Sequence, residues 1–279
     1  MEDCKMKVLN LKNRTISCNR EAFIMGIVNC TPDSFYDKSR GGSEHALSLI
    51  DEGADILDLG GESTRPGSQY VDAQEEIKRL VPIIKEIRKH SDIPISVDTR
   101  KYEVFKVCYD EGADMVNDIS ALEDDEKLGF FVSETEVPVV LMHKRGIPVN
   151  MQDNTSYKDA FSEVDGYLKD RVCYAESIGI KKNKIIIDPG IGFGKNLKDN
   201  SSLIARGACL CGGEYPVLMA LSRKSCIGDM TGKNVEERLY GTLAANLISV
   251  IKGASIVRVH DVAPCRDTLA VLQYLKEFL

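Results

Sequence analysis

The sequence predicts a TIM (β/α)8 barrel with a short N-terminal hairpin, a single domain over residues 1–279. Three observations carry the prediction. Short apolar runs recur along the chain and alternate with helix-like stretches, the pattern of a parallel sheet wrapped by helices. These runs end in small or polar residues, namely Asn29, Gly60, Asp98, Asn117, His143, Asp188, Ser222 and His260. The length of 279 residues suits one α/β barrel better than two domains, and no linker or low-complexity segment divides it.

The model for every run is Ile185-Ile186-Ile187-Asp188, followed at once by Pro189 and Gly190. It reads as a strand buried on both faces that delivers a carboxylate at its C-terminal end. Eight such strands place their polar ends on one rim, which makes the barrel mouth the expected site.

Taken in order, residues 1–21 alternate loosely around a polar Lys12-Asn13-Arg14 turn, a hairpin placed to close the barrel bottom. Strand 23–29 follows, then a polar loop 30–42 with Pro32, then a helix over 44–52 with Ser43 as N-cap. Strand 55–59 leads into the long loop 60–71. Asp72 and Glu75 resemble a capping box for a helix whose face is Ile77, Leu80, Val81, Ile84 and Ile87, with a kink expected at Pro82. Strands 94–98, 115–119 and 137–142 alternate with helices over 101–111, 124–135 and 157–178, the last ending at Gly179. Strand 185–188 carries the Gly-rich loop. Strand 217–221 precedes a short helix near Lys224, helix 235–252 ends at Gly253, and strand 255–260 precedes a closing helix over 264–278.

A net charge of −7 argues against nucleic acid or an anionic membrane as partner, so an anionic substrate needs a local cationic focus. No apolar stretch is long enough to span a bilayer, and no signal-peptide pattern opens the chain, so the expected location is the cytoplasm. The nine cysteines are odd in number and scattered, which reads as reduced thiols. Cys209-x-Cys211 is weak as a metal site, and Gly190-x-Gly192-x-Gly194-Lys195 fails the P-loop pattern in both spacing and the residue after Lys.

The rim segments together resemble the dihydropteroate synthase family of pterin-binding barrels. The matching stretches are Met25 to Phe35, Asp58 to Gly67, Ile95 to Thr99, Val116 to Ile119, Leu141 to His143, Asp188 to Lys195, Ser222 to Ser225 and Arg258 to His260. They lie in family order, one per strand. Cys30 stands where many members carry a β-branched residue and Ala220 where many carry Gly. The resemblance implies a transferase of folate biosynthesis. It joins a 6-hydroxymethyl-7,8-dihydropterin diphosphate to p-aminobenzoate, releases pyrophosphate, uses Mg²⁺, is a sulfonamide target and is commonly a homodimer. Rival readings are a methyl-tetrahydrofolate methyltransferase barrel and a catalytically silent pterin binder. The methyltransferase has no pyrophosphate to handle, so the two polar loops and the cations favour the synthase over it; an assay for released pyrophosphate separates the silent binder from both enzymes.

The residues fit that chemistry. A flat amino-pyrimidinone edge needs acceptors for its N–H groups, which Asp98, Asn117 and Asp188 would supply. Asn117 is evenly balanced against a capping role, since Asp118 is an equally good cap, and Met142 is evenly balanced between pocket wall and core. Lys224 and Ser225 open a helix, an anion-favouring position that the family uses for pterin and aminobenzoate; Arg223 is assigned to structure. Arg258 and His260 alternate with valines, so both face one side and with Asn29 resemble the family's diphosphate cradle. Asn29 is the expected Mg²⁺ ligand, since Mg²⁺ takes few protein oxygens beside phosphate and water. Phe35, Thr64, Pro66 and Phe193 are expected around the aminobenzoate ring with Lys224, Arg65 is expected to reach the diphosphate from the second loop, and catalytic roles fall to Asp98, Lys224, Arg258 and His260. His45, His90 and His143 lack such support and are assigned to structure.

Overall fold

The computed structural model describes residues 7–30, 42–63, 68, 70–146 and 155–278. Phe35, Thr64, Arg65 and Pro66, and with them most of the two long polar loops, lie outside the described residues.

Two antiparallel strands come first, β1 (Lys7–Asn10) and β2 (Thr15–Cys18), joined by a turn in which the Leu11 amide donates to the Arg14 carbonyl at 2.9 Å. Eight parallel strands follow: β3 (Phe23–Asn29), β4 (Ile56–Gly60), β5 (Ile95–Asp98), β6 (Met115–Asp118), β7 (Val139–Met142), β8 (Ile185–Asp188), β9 (Leu218–Met219) and β10 (Ile256–Val259). Their order runs β8-β7-β6-β5-β4-β3-β10-β9. A single bridge between Ile187 and Val217 joins β8 to the approach of β9 and closes the ring. The barrel is therefore as expected, with β9 shorter than its apolar run because Leu221 already begins a turn: its carbonyl accepts from the Lys224 amide.

Helices α1 (Gly42–Asp51), α2 (Ala73–His90), α3 (Tyr102–Asp110), α4 (Glu126–Thr135), α5 (Ala160–Ser177), α6 (Leu197–Arg206), α7 (Ser225–Thr231), α8 (Leu239–Ile251) and α9 (Val262–Leu275) surround it. Ser43 is not the N-cap of α1, which already includes Gly42. The capping box of α2 is half formed. Asp72 accepts from the Gln74 and Glu75 amides, but the Glu75 carboxylate turns to Arg79 at 2.9 Å instead of reaching back. α2 runs through Pro82 as one helix.

Period 2 sorts each strand into two faces. One set packs outward under the helices, among them Ile24, Leu57, Val97, Val116, Leu141 and Ile187. The other fills the barrel interior: Phe23, Met25, Ile56, Met115, Val140, Ile186, Leu218 and Ile256, sealed below by Leu9, Leu11 and Cys18 of the hairpin. The hairpin is thus a plug, as its position suggested. The Lys184 ammonium holds it from β8's side by donating to the Leu11 carbonyl at 2.7 Å.

Candidate active site

The inward parity of the lower barrel fixes what lines the mouth. Two residues beyond Ile56, Met115, Ile186 and Ile256 stand Asp58, Asn117, Asp188 and Arg258. Four beyond Met25 stands Asn29, and two beyond Val140 stands Met142. The ladder aligns Asn29 with Gly60, Gly60 with Asp98, Asp98 with Asn117, and Met142 with Asp188. The predicted strand-end residues therefore do meet at one end of one barrel.

Arg258 is at the centre. Its Nε donates to Asp58 Oδ2 at 2.5 Å and its Nη2 to Asp98 Oδ2 at 3.0 Å. Asn117 Nδ2 donates to the same Asp58 oxygen at 3.2 Å. Burial pushes the Asp98 carboxyl up to about 7; the neighbouring guanidinium opposes the rise and the Asp58 charge adds to it. Burial works against the Arg258 charge, but Asp58 and Asp98 outweigh it and hold the guanidinium above its ordinary value. The expected diphosphate-facing arginine thus sits lower than the rim, on two carboxylates.

The Asn117 balance resolves by a division of labour. Asp118 closes the turn after β6, its carboxylate accepting from the Ser120 and Leu122 amides and the Ser120 hydroxyl, each at 2.7 Å, whereas the N-cap of α4 is Asp125. Asn117 is left to the interior. Asp188 does both jobs, since one oxygen accepts from the Gly190 amide at 2.7 Å. Burial raises its pKa against the pull of Lys224.

Lys224 precedes α7 and bends back over the β8 loop. Its ammonium donates to the Ile191 carbonyl and lies 4.7 Å from the Phe193 ring centroid. Burial pulls it down to about 8, with Asp188 working the other way. Ser225 is exposed beside it. Arg223 is tied to Asp261 through two bonds, at 2.7 and 3.0 Å, the structural role expected of it.

The Gly-rich loop is no phosphate cradle, because Lys195 turns inward as its staple. The buried ammonium reaches the Gly190 carbonyl at 2.8 Å, the Phe193 carbonyl at 3.0 Å and His143 Nδ1 at 2.9 Å. Burial pushes it well below the ordinary lysine value, while these acceptors take the N–H groups of the amine. His143, pushed down to about 2 by burial and by Lys195, stays neutral and accepts at Nδ1. Gly190 has φ +66°, and a Cβ there would lie 1.8 Å from the His143 carbonyl oxygen, so no other residue fits.

At the rim above Arg258, Ser222 Oγ accepts from the His260 amide at 3.1 Å and lies 2.9 Å from its Nδ1. The Ser222 hydroxyl thereby touches both the backbone and the ring of His260 and fixes the orientation of the imidazole. Asn29 ends β3, part-exposed. Among the described residues no three His, Cys, Asp or Glu side chains form a metal cluster. Asn29 offers one amide oxygen at this rim, a donor type that hard divalent cations accept.

Two features escaped the sequence reading. Asp58 was signalled by a carboxylate in the middle of an apolar run, at even spacing from Ile56. Lys101 was not signalled at all. It donates to Glu62 at 2.5 Å, Glu76 at 2.7 Å and the Val71 carbonyl at 2.7 Å, so it joins both stems of the loop after β4.

Comparison with known proteins follows this geometry. Residues 25–260 match the family model described as pterin binding enzyme. A dihydropteroate synthase of Escherichia coli is 42% identical over 255 residues, 90% of each chain. A Xanthomonas albilineans dihydropteroate synthase solved with 4-aminobenzoic acid superposes with TM-score 0.90 at 42% identity, over 98% of this chain and 99% of that one. A Yersinia pestis dihydropteroate synthase in a sulfonamide complex gives TM-score 0.90 at 35% identity, over 97% and 99%.

Proposed function

The chain belongs to the pterin-binding enzyme family, among the dihydropteroate synthases, and from that premise we propose how its residues divide the reaction. It is a transferase that condenses 6-hydroxymethyl-7,8-dihydropterin diphosphate with p-aminobenzoate, releasing pyrophosphate and forming 7,8-dihydropteroate. The observation that carries the assignment of roles is the ring of inward strand-end groups Asp98, Asn117 and Asp188 facing Lys224 and Arg258 in one mouth.

The acceptors take the N–H groups of the pterin edge, with Met142 as apolar wall. Departure of pyrophosphate leaves positive charge on the ring system. Asp98 and Asp188 stabilise that charge, while His260 and Lys224 meet negative charge building on the leaving group. Phe193 and Ser225 border the place for aminobenzoate, and the family resemblance assigns Phe35, Thr64 and Pro66 to the same substrate and Arg65 to the diphosphate. The amine nitrogen then forms the new bond to the methylene carbon of that cation, and its proton leaves with the pyrophosphate. No covalent enzyme intermediate is needed.

Asn29 would hold Mg²⁺ through its amide oxygen, and the ion would neutralise the diphosphate as it leaves. The exposed Tyr240, Ile248, Ile251, Val271, Tyr274 and Phe278 along α8, α9 and the C-terminal turn support a homodimer through these helices. Sedimentation at micromolar concentration tests it: a monomer would rule it out. The cytoplasm is the proposed location, supported by the unpaired state of the eight described cysteines. No described helix is long and apolar enough to cross a membrane.

The decisive assay follows pyrophosphate release from the pterin diphosphate. It should depend on p-aminobenzoate and be suppressed by EDTA. Release that ignores p-aminobenzoate, or none at all, would falsify the assignment.

A further inference from the structure

Asp58 does not belong to the groups that face the ligand. It is fully buried in the middle of β4, one inward position below the rim. Yet one of its oxygens organises two residues that do. Oδ2 accepts from Arg258 Nε at 2.5 Å and from Asn117 Nδ2 at 3.2 Å, reaching across the barrel to β10 on one side and β6 on the other. Each bond removes a freedom. With Nε fixed, the guanidinium can turn only about that edge, and it presents Nη2 to Asp98 at 3.0 Å. With one Nδ2 hydrogen spent on a carboxylate, the Asn117 amide cannot flip, because its oxygen would then face Asp58. The carbonyl oxygen and the remaining N–H are left to the ligand in a fixed order.

A stabilising role alone does not account for this placement. Two inward carboxylates sharing one guanidinium in a buried barrel cost desolvation that an apolar pair of similar volume would avoid. Leucine or isoleucine at this layer would continue the core below it.

We infer that Asp58 is a positioning residue for the reaction: it orients the Asn117 amide for pterin recognition and divides the Arg258 charge so that Asp98 is not neutralised by a full ion pair. The inference rests on the reading that Asp98 and Asn117 meet the pterin. Its consequence concerns how Asp98 titrates. The charged groups around Asp98 are Arg258 from β10, Asp58 from β4, Glu76 from α2 and Asp118 from β6, and Lys224 senses it from beyond β9. Among these, Asp58 acts twice, by its own repulsion and by sharing the arginine. Its removal as a charge leaves Arg258 to Asp98 alone and favours the ionised carboxylate.

The test is Asp58→Asn, which keeps an acceptor of the same shape and removes the charge. In wild-type enzyme kcat/KM should climb with pH through an acid limb near the Asp98 value of about 7. In Asp58→Asn that limb should move acidward by about one pH unit, and in Asp58→Leu, which removes the acceptor as well, pterin affinity should fall about tenfold as the Asn117 amide gains a second orientation. A limb that stays in place with unchanged affinity overturns the inference. Asp98→Asn separates the two readings. Loss of the limb there, with no shift in Asp58→Asn, sinks only the role of Asp58; a limb surviving in Asp98→Asn sinks the reading of Asp98 itself. Should Asp58→Asn fail to fold, nitrogen-15 NMR of the wild-type protein decides. The Arg258 Nε–H and Asn117 amide protons should be resolved and slow to exchange, and rapid exchange with water overturns the proposal.

Discussion

The two ends of the barrel are built from the same strands with the same inward parity and opposite chemistry. At the bottom, Phe23, Ile56, Ile186 and Ile256 meet the hairpin's Leu9 and Leu11 in a dry plug. One strand position pair higher, the same faces carry Asp58, Asp188 and Arg258. Each end holds a lysine beside backbone carbonyls, but to different effect. Lys184 lies on the Leu11 and Asn10 carbonyls and closes the structure. Lys224 touches one carbonyl and an aromatic face and shares its surroundings with Asp188. The contrast shows where stability was given up. Apolar burial could have continued upward, and charges that cost desolvation replace it only where a ligand must be met.

The sharpest way to break this contrast is a pair of substitutions on one face of β8. Asp188→Ala should weaken pterin binding by about 100-fold, two stranded donors at roughly 1–2 kcal/mol each, and cost about 1 kcal/mol of stability through the Gly190 amide it leaves unbonded. Ile186→Ala, two residues below, should cost about 2–4 kcal/mol of stability and leave the affinity of the folded fraction intact. Titration calorimetry and denaturant unfolding read the two effects. Exchange of the two phenotypes would mean that the ends are not specialised.

The two lysines give a second pair. Lys224→Ala should lower kcat/KM by about 100-fold through loss of charge aimed at the substrates. Lys184→Met should leave kcat/KM unchanged and lower stability by about 1–3 kcal/mol, because two hairpin carbonyls lose their donor. Steady-state kinetics with thermal melts on both variants would expose any reversal.

The pH dependence sharpens the picture at the mouth alone. Lys224, pulled to about 8 by burial, is cationic below that value and loses its charge as pH rises through it. Asp98, pushed to about 7, is anionic above that value and gains a proton as pH falls. Activity should therefore peak between about 7 and 8 and fall about tenfold per unit on each side. A flat profile from 6 to 9 would place the titrating groups elsewhere. The smallest effect is expected away from both ends: Cys209→Ala, at an exposed thiol, should change stability by less than about 0.5 kcal/mol and activity not at all.

Much of this was legible from residues in a row. Period 2 and β-branched runs dictated buried parallel strands, because a strand with helices on one side and neighbours on the other has no face for water. Runs that end in Asp98, Asn117 and Asp188 dictated which rim holds the site. Arg223 read as structural and proved so through Asp261. Three matters needed the fold. Asp118 and Asn117 are adjacent and equally good caps on paper, and only the strand parity sends one outward to Ser120 and the other inward. Arg258 reads as a rim cation for phosphate, and only closure of the ring brings Asp58, 200 residues away in the chain, within 2.5 Å of it. Lys101 reads as a surface helix start, and only the turn of the chain after β4 folds Glu62 and Val71 onto it. Local pattern decides which side of a strand a residue occupies, since that depends on backbone geometry alone. Which charges pair across the barrel depends on the closure of all eight strands, and no window of the sequence contains it.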